Sequence, residues 1–245
     1  MDPLTAAAAN GLQARMDAVD MLANNMANAS TGGFKADREF YGTYLAPELA
    51  DSQFSVGPSP VVQRQWTDFS QGTLVPTNNP TDLALSGPGF FVVKGPNGPL
   101  YTRNGTFQTT NAGTLTTAEG YPVQLVGGSS FQATPGSPIT VDADGTVSQS
   151  GRYIGQIQVV DFADASKLTR AGGSYFQNSG PDASAMKPAA ASVLQGKVEN
   201  SNSQPAEAAA RMVLLLRHYE MLQRAIRVGT EMNQQSIQEV AKVGS

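Results

Sequence analysis

The sequence predicts an α+β protein in which long N- and C-terminal helices pair as a coiled-coil-like layer and a β-rich body lies between them in the chain. Near both ends, apolar residues recur at steps of three and four, which is typical of a helix with one apolar face. In the middle, short apolar blocks alternate with turn-forming residues, which is typical of strands. The composition agrees, because the 245 residues include 25 Gly and 15 Pro, and only 40% are hydrophobic.

The first predicted element is a helix that begins at Asp2 and Pro3, an N-cap residue followed by proline in the first turn, and is stopped by Gly32 and Gly33. One narrow apolar stripe runs along it. Short amide side chains near its end can cap the helix and bond neighbouring backbone. We therefore predict that this helix contributes to a subunit interface through Leu12, Met16, Val19, Leu22, Met26, Asn24, Asn25 and Asn28.

The last predicted element is a longer helix that begins near Pro205 and runs almost to the end of the chain. Its roughly 38 residues, at 1.5 Å each, would span on the order of 57 Å, so the helix needs a partner, and the N-terminal helix is the obvious one. Its apolar residues fit the a and d positions of a heptad pattern. The predicted interface residues of this seam are Met212, Leu215, Tyr219, Leu222, Ile226 and Val240.

The central part of the chain, from about Phe40 to Ala191, is predicted to form short strands. Asn104-Gly105 and Asp144-Gly145 are strong hairpin signals, because both residue types tolerate the positive φ angles of tight turns. The strand candidates are Leu83–Ser86, Phe90–Lys94, Leu100–Arg103, Thr106–Gln108, Tyr121–Val126, Ile139–Val141 and Ile154–Phe162.

These elements predict three regions. Residues 1–35 and 193–245 form a helical domain, and residues 83–192 form a β-rich domain. Residues 36–82 are an extended connector, because prolines interrupt the alternation there. The tract from Ser179 to Ser192 is a return linker.

The sequence predicts no catalytic residues, no cofactor and no metal site. Cysteine is absent and His218 is the single histidine, which removes the usual zinc and iron ligands. Gly87-Pro88-Gly89 lacks the third glycine of a dinucleotide loop and precedes a strand, and the tract 142–145 fails both ends of a calcium loop. His218 has no nucleophile or carboxylate predicted around it, so we expect a half-exposed or interface histidine.

The charge pattern limits the partners. A net charge of -4 argues against nucleic acid, and no stretch approaches the roughly 18 apolar residues of a spanning helix, so we expect no direct membrane insertion. The N-terminus has neither the basic start nor the apolar run of a cleavable signal. We expect a soluble protein, or one that leaves the cytoplasm by a route that reads no such signal.

Four blocks of sequence resemble one family. The segment 23–35, ANNMANASTGGFK, closely resembles the signature that ends the first helix of bacterial flagellar rod and hook proteins. Three further blocks agree in order and spacing: 82–91 (DLALSGPGFF), 101–107 (YTRNGTF) and 194–202 (LQGKVENSN). Within this family of basal-body rod and hook proteins, the short length and single β body look most like a proximal rod protein.

This resemblance implies a structural, non-enzymatic subunit of the basal-body rod, located in the periplasm and exported without a cleavable signal peptide. The helices would line the export channel as an inner, rod-core domain and the β body would lie outside, in a helical array that helps to transmit torque. The implied partners are other rod subunits, neighbouring rod and hook proteins and the flagellar type III export apparatus.

Three alternatives stay open at this point. The first is a distal rod or hook subunit of the same family. The second is a secreted β-rich adhesion or binding module, suggested by the polar, turn-rich middle. The third is an enzyme that uses the carboxylates Asp142, Asp144, Asp161 and Asp164, which would require a shared pocket.

Overall fold

The computed structural model describes residues 3–44, 59–134, 136–178 and 191–243. Nearly all of the predicted return linker, 179–190, lies outside these ranges. The described chain divides into two compact units. The helical unit contains the described parts of Met1–Ala27, Asp37–Trp66 and Gln204–Ser245, and the β unit contains those of Asn28–Ala36 and Thr67–Ser203.

The helical unit contains two long helices, α1 (Pro3–Ala27) and α2 (Pro205–Val243). Their small shared core consists of buried Ala18, Leu22, Ala208 and Leu215, with Val19, Met21 and Met212 packed against it. Gly11 lies near Leu222, so earlier residues of α1 meet later residues of α2 and the helices are antiparallel. The predicted start of α2 at Pro205 is confirmed. Within the described residues, neither helix has an apolar stretch long enough to cross a membrane.

The stretch predicted as a connector, 36–82, contributes strands to both units. Strands β1 (Asp37–Tyr44) and β2 (Ser59–Thr67) pair with each other, and β3 (Leu74–Pro76) pairs with a strand more than a hundred residues away. Two of its prolines lie at strand ends, Pro60 as the second residue of β2 and Pro76 as the last of β3. Proline is tolerated there because it removes few ladder hydrogen bonds.

The described part of the β unit contains five small sheets. The largest has five strands in the order β12-β5-β6-β14-β13, and a second has the order β11-β10-β9. The others are the pairs β15-β4, β16-β3 and β7-β8. The bounds of these strands are β4 Leu83–Ser86, β5 Phe90–Gly95, β6 Gly98–Thr102, β7 Gln108–Thr109, β8 Leu115–Thr116, β9 Ile139–Val141, β10 Thr146–Gln149, β11 Arg152–Gln156, β12 Val159–Val160, β13 Leu168–Arg170, β14 Tyr175–Asn178, β15 Ser192–Gln195 and β16 Lys197–Glu199.

Strand β5 separates the two apolar cores of this unit. Phe91 and Val93 join one core, whereas Phe90 and Val92 join the other. Because successive side chains of a strand point to opposite faces, a strand buried on both faces needs a continuous apolar run. The sequence Phe-Phe-Val-Val supplies that run, and the prediction of a strand here is confirmed.

The two predicted hairpins have different outcomes. Asp144-Gly145 does join two paired strands, β9 and β10, and Gly145 has a φ of 84°, which suits glycine. The prediction of a hairpin at Asn104-Gly105 is wrong, because β6 pairs with β5 and β14 and not with the next strand, β7. There the Oδ1 atom of Asn104 accepts a hydrogen bond from the Thr106 amide, which satisfies the turn without a hairpin.

The secondary-structure content confirms the predicted class at the level of two terminal helices and a mostly β-stranded middle. The compact units have boundaries that differ from the predicted regions, because residues 28–36 and 193–203 belong to the β unit. In the second of these stretches, β15 pairs with β4 and β16 pairs with β3, so the residues before α2 are bound into sheets.

Gly105 provides a test of this packing. A Cβ atom added there would lie 1.6 Å from the Leu83 carbonyl oxygen, so we expect Gly105→Ala to lower the free energy of unfolding of the β unit by about 3 kcal/mol. The control is Gly120→Ala, whose added Cβ meets nothing within 4 Å and whose positive φ costs only about 1 to 2 kcal/mol. Urea denaturation measures both, and equal losses would contradict the packing assigned to Gly105.

Candidate functional site

The four sequence blocks that resemble one family converge in the β unit. Lys35 comes from the first block, Gly87 from the second, Arg103 from the third and Glu199 from the fourth. Their polar atoms meet around the carboxylate of Glu199. We call Lys35, Arg103, Glu199 and Asn202 the junction cluster.

The junction cluster contains two buried ion pairs that share one carboxylate. The Nζ atom of Lys35 lies 2.5 Å from one oxygen of Glu199, and Nη1 of Arg103 lies 3.3 Å from the other. Both Lys35 and Glu199 are fully buried. The backbone amide of Gly72 donates a further hydrogen bond to Glu199, at 2.9 Å. Buried charges persist only when they are paired and hydrogen-bonded in this way.

Each of the two cations also donates one hydrogen bond to a backbone carbonyl. Lys35 donates to the Ser70 carbonyl at 2.6 Å, and Nη2 of Arg103 donates to the Gly87 carbonyl at 2.9 Å. Burial lowers the pKa of Lys35, and the charge of Glu199 opposes that shift. Burial also lowers the pKa of Arg103, again opposed by Glu199. The charge of Glu199 therefore favours the protonated, charged form of both buried cations.

Two arginines connect the junction cluster to aromatic rings. The guanidinium of Arg103 lies 5.4 Å from the centre of the Phe90 ring. The guanidinium of Arg170 lies over both Phe34 and Phe176, at 4.7 and 5.2 Å, and donates to the Lys35 carbonyl at 2.7 Å. Such cation–π contacts are strongest where water is excluded. They join the cluster to the core on the Phe90 face of β5.

Asn202 supplies the cluster's second set of bonds. Its Oδ1 atom accepts from the Ala36 amide at 2.7 Å, and its Nδ2 atom donates to the Asp68 carbonyl at 2.7 Å. Its own amide donates to the Phe34 carbonyl at 3.3 Å. One asparagine thus binds two segments that are far apart in sequence.

The predicted interface residues of α1 fall into three exposure classes. Leu22 and Asn25 are buried, Leu12, Val19 and Asn28 are half-buried, and Met16, Asn24 and Met26 are exposed. The amide of Asn25 binds the backbone of Asp37 through both of its polar atoms, at 2.7 and 2.9 Å. Asn25 therefore holds the start of β1 within the helical unit.

The predicted seam of α2 is mostly half-buried. Leu215 is buried with Leu22 in the helical core, and Met212, Tyr219, Leu222 and Ile226 are half-buried. The side chain of Val240 lies outside the described residues. His218 is exposed. The structure thus brings Val19, Leu22, Met212 and Leu215 together and leaves the other seam residues partly open.

Sequence reasoning missed two sets of residues. One is a second group of apolar residues on α2, which lie outside the predicted heptad seam and are exposed: Val213, Leu214, Leu216, Met221, Val228 and Met232. The other is the junction cluster, whose members lie inside the quoted blocks but received no chemical role. The sequence feature that could have identified the junction cluster is the presence of charged residues within otherwise apolar or glycine-rich blocks.

Three of the four carboxylates of the enzyme alternative accept hydrogen bonds within local turns. Asp144 accepts bonds from the amide and hydroxyl of Thr146, and Asp164 accepts them from Ser166 at the start of a short 3-10 helix. Asp161 accepts from the amide of its neighbour Phe162. Each of these bonds is within two residues, which is the pattern of turn stabilisation.

The junction cluster can be tested by removing one cation. We expect Lys35→Met to lower the free energy of unfolding of the β unit by about 3 to 5 kcal/mol, because it leaves a buried carboxylate with one partner fewer. The control is Arg211→Met, which breaks an exposed pair with Glu207 and should cost at most about 1 kcal/mol. Urea denaturation compares the two, and a loss for Lys35→Met as small as that of the control would contradict the role of the pair.

Three family models match the chain. The model "Flagella basal body rod protein" matches residues 6–35, "Flagellar hook protein FlgE/F/G D1 domain" matches 84–149, and "Flagellar basal body rod FlgEFG protein C-terminal" matches 194–239. Between them they contain all four residues of the junction cluster.

Curated relatives match over nearly their whole length. The flagellar basal-body rod protein FlgF of Caulobacter vibrioides is 33% identical, with 92% of each chain covered. FlgG from Buchnera aphidicola subsp. Baizongia pistaciae is 30% identical, over 96% of this chain and 98% of its own. FlgG from Caulobacter vibrioides is 30% identical, over 94% and 97%. With these identities and this coverage, the chain belongs to the family of flagellar basal-body rod proteins.

Proposed function

We propose that this chain is a structural, non-enzymatic subunit of the flagellar basal-body rod, located in the periplasmic part of the basal body. The observation that carries the proposal is the set of large apolar side chains left exposed on α2 in a chain related to rod proteins along nearly its whole length. A helix that shows apolar residues outside its own core needs further partners. Other copies of the subunit supply them.

The exposed set of α2 is large enough to matter. Val213, Leu214, Leu216, Met221, Val228 and Met232 are between 46% and 63% exposed. Covering such side chains contributes roughly 25 cal/mol for each Å² of apolar surface removed from water. Met16 and Met26 on α1, at 49% and 40%, extend the surface available for contact. Assembly therefore supplies burial that the described helices lack within one chain.

The proposed arrangement follows the predicted regions. Within the predicted region 1–35 and 193–245, α1 and α2 form the inner, rod-core domain and pack in a coiled-coil-like layer along the seam at Met212, Leu215, Tyr219, Leu222 and Ile226. The stretches 28–35 and 193–203 of that region belong to the compact β unit. Residues 83–192 form the outer domain, and residues 36–82 connect the two. Contacts that do not close on themselves build an open helical array, here around the export channel.

The proposed partners are other rod subunits, neighbouring rod and hook proteins and the flagellar type III export apparatus, through which the subunit leaves the cell. In the assembled rod it would help to pass torque from motor to hook. A proximal position is the form of the proposal that the short length and the single β body favour, and immunogold labelling of purified basal bodies distinguishes it from a distal or hook position.

Leu222 gives the direct test of assembly. It is half-buried on the seam and lies near Gly11. We expect Leu222→Asp to abolish incorporation into the rod and motility while the β unit stays folded, because a carboxylate cannot be buried between apolar helices without a partner. Quantified basal bodies and swimming assays measure the effect. The control is Gln223→Asp at the adjacent exposed position, and normal basal-body content in the Leu222 variant would contradict the proposal.

The monomer before assembly gives a second test. The helical core contains four buried residues, two of which are alanines, so we expect backbone amides in 10–28 and 212–240 to exchange much faster than those of β5 and β6. Hydrogen exchange with mass spectrometry on a verified monomer measures this. Equal protection of the helices and the sheet would show that the helices do not depend on neighbouring copies.

A further inference from the structure

The chain passes between the helical unit and the β unit four times, after Ala27, Ala36, Trp66 and Ser203. On the β-unit side, these passages correspond to three segments: 28–36, 67–72 and 199–203. We infer that Glu199 and Asn202 form a mechanical clamp that holds all three segments and bears load applied through the two helices.

Glu199 contributes bonds from both its backbone and its side chain. Its carbonyl accepts from the Gly33 amide at 2.7 Å, and its carboxylate pairs with Lys35, so it binds the segment that follows α1 twice. The same carboxylate accepts from the Gly72 amide at 2.9 Å, which holds the segment that follows β2. Arg103 fixes the second carboxylate oxygen from within the β unit.

Asn202 repeats this pattern three residues later. It binds the Phe34 carbonyl and the Ala36 amide on one segment, and the carbonyls of Asp68 and Ser70 on the other. Asp68 and Ala36 also bond to each other directly, at 2.8 Å. The three segments are therefore joined by backbone contacts as well as by the ion pair.

The position of the clamp in the chain makes it the load-bearing element. Lys35 and Glu199 are 164 residues apart, and strands β1 to β15 lie in the loop that their contact closes. Once the packing of α1 against α2 has opened, force applied between the two helices runs along 28–35, through the clamp and along 199–203. The residues of the two apolar cores lie inside the closed loop, so the part of the chain that carries them is not extended until the clamp opens.

The clamp is also protected from water, since both side chains of the Lys35–Glu199 pair are fully buried. Water at an opened pair would compete for the same donors, so a buried pair that stays closed resists force better than an exposed one. In a subunit that transmits torque, such a clamp would keep the β unit folded under load, and this role rests on the proposed function. The mechanical property itself does not depend on it.

Single-molecule force spectroscopy on the full chain, tethered at its two ends, tests the inference. We expect one dominant rupture, after which the closed loop extends by on the order of 550 Å, given about 3.3 to 3.6 Å per residue. Glu199→Gln and the milder Asn202→Ala should each lower the rupture force while leaving the released length unchanged. Glu207→Gln is the matched control for loss of a carboxylate, and it should keep the wild-type force.

A second pulling geometry separates a clamp from a general contribution to stability. The chain has no cysteine, so handles can be attached specifically through Asn111→Cys and Ala163→Cys at two exposed positions of the β unit. Load between these handles bypasses Lys35, Glu199 and Asn202, and there the clamp variants should rupture at the force of the matching unmutated chain. If the variants lose force equally in both geometries, or lose none when pulled from the ends, the inference is wrong. If Glu199→Gln does not fold, Asn202→Ala decides by the same comparison.

Rod function is read separately by the Leu222→Asp experiment. A chain that assembles into rods but shows no clamp, or a chain that shows the clamp but does not assemble, would distinguish failure of this inference from failure of the proposed function.

Discussion

The fold of the β unit depends on how the buried carboxylate of Glu199 is hydrogen-bonded in place of water. Removing Glu199 from water costs several kcal/mol unless donors replace that water. Three donors do so, from Lys35, Gly72 and Arg103, and they come from parts of the chain that are far apart. Only a fold that brings these parts together satisfies the buried charge. The carboxylate therefore selects one arrangement of the chain, which apolar contacts between small, glycine-rich segments would specify less well.

The cluster and the cores support each other because they share side chains. Phe90 belongs to the core on one face of β5 and also lies under the guanidinium of Arg103. Phe176 belongs to the same core and lies beneath Arg170, which bonds the Lys35 carbonyl. The aromatic rings exclude water from the ion pairs, and the arginines fix the positions of the rings. A change at either site is therefore felt at the other.

The features that the sequence predicted are those set by local pattern. The helical stripe, the start of α2 at Pro205 and the buried run of β5 depend on residues a few positions apart. Strands β3 and β16 escaped prediction because each is three residues long and is defined by the other, more than a hundred residues away. Asn104-Gly105 gave a wrong hairpin prediction because these residues do form a turn, but the strands on either side of it pair with other strands. The role of Glu199 was hidden for the same reason, since its partners lie 96, 127 and 164 residues before it.

The two units also differ in how far each satisfies its own apolar surface. The β unit buries large side chains such as Phe91, Phe107 and Phe131 almost completely. In the described part of the helical unit, the shared core contains four buried residues, of which Ala18 and Ala208 add little area, and six large apolar residues of α2 are exposed. Because burial of apolar surface stabilises a fold, the β unit gains more of its stability within one chain than the helices do. Such a division suits a subunit whose helices must stay open to successive neighbours while its β unit stays folded, and the buried carboxylate lies where the chain leaves one unit for the other.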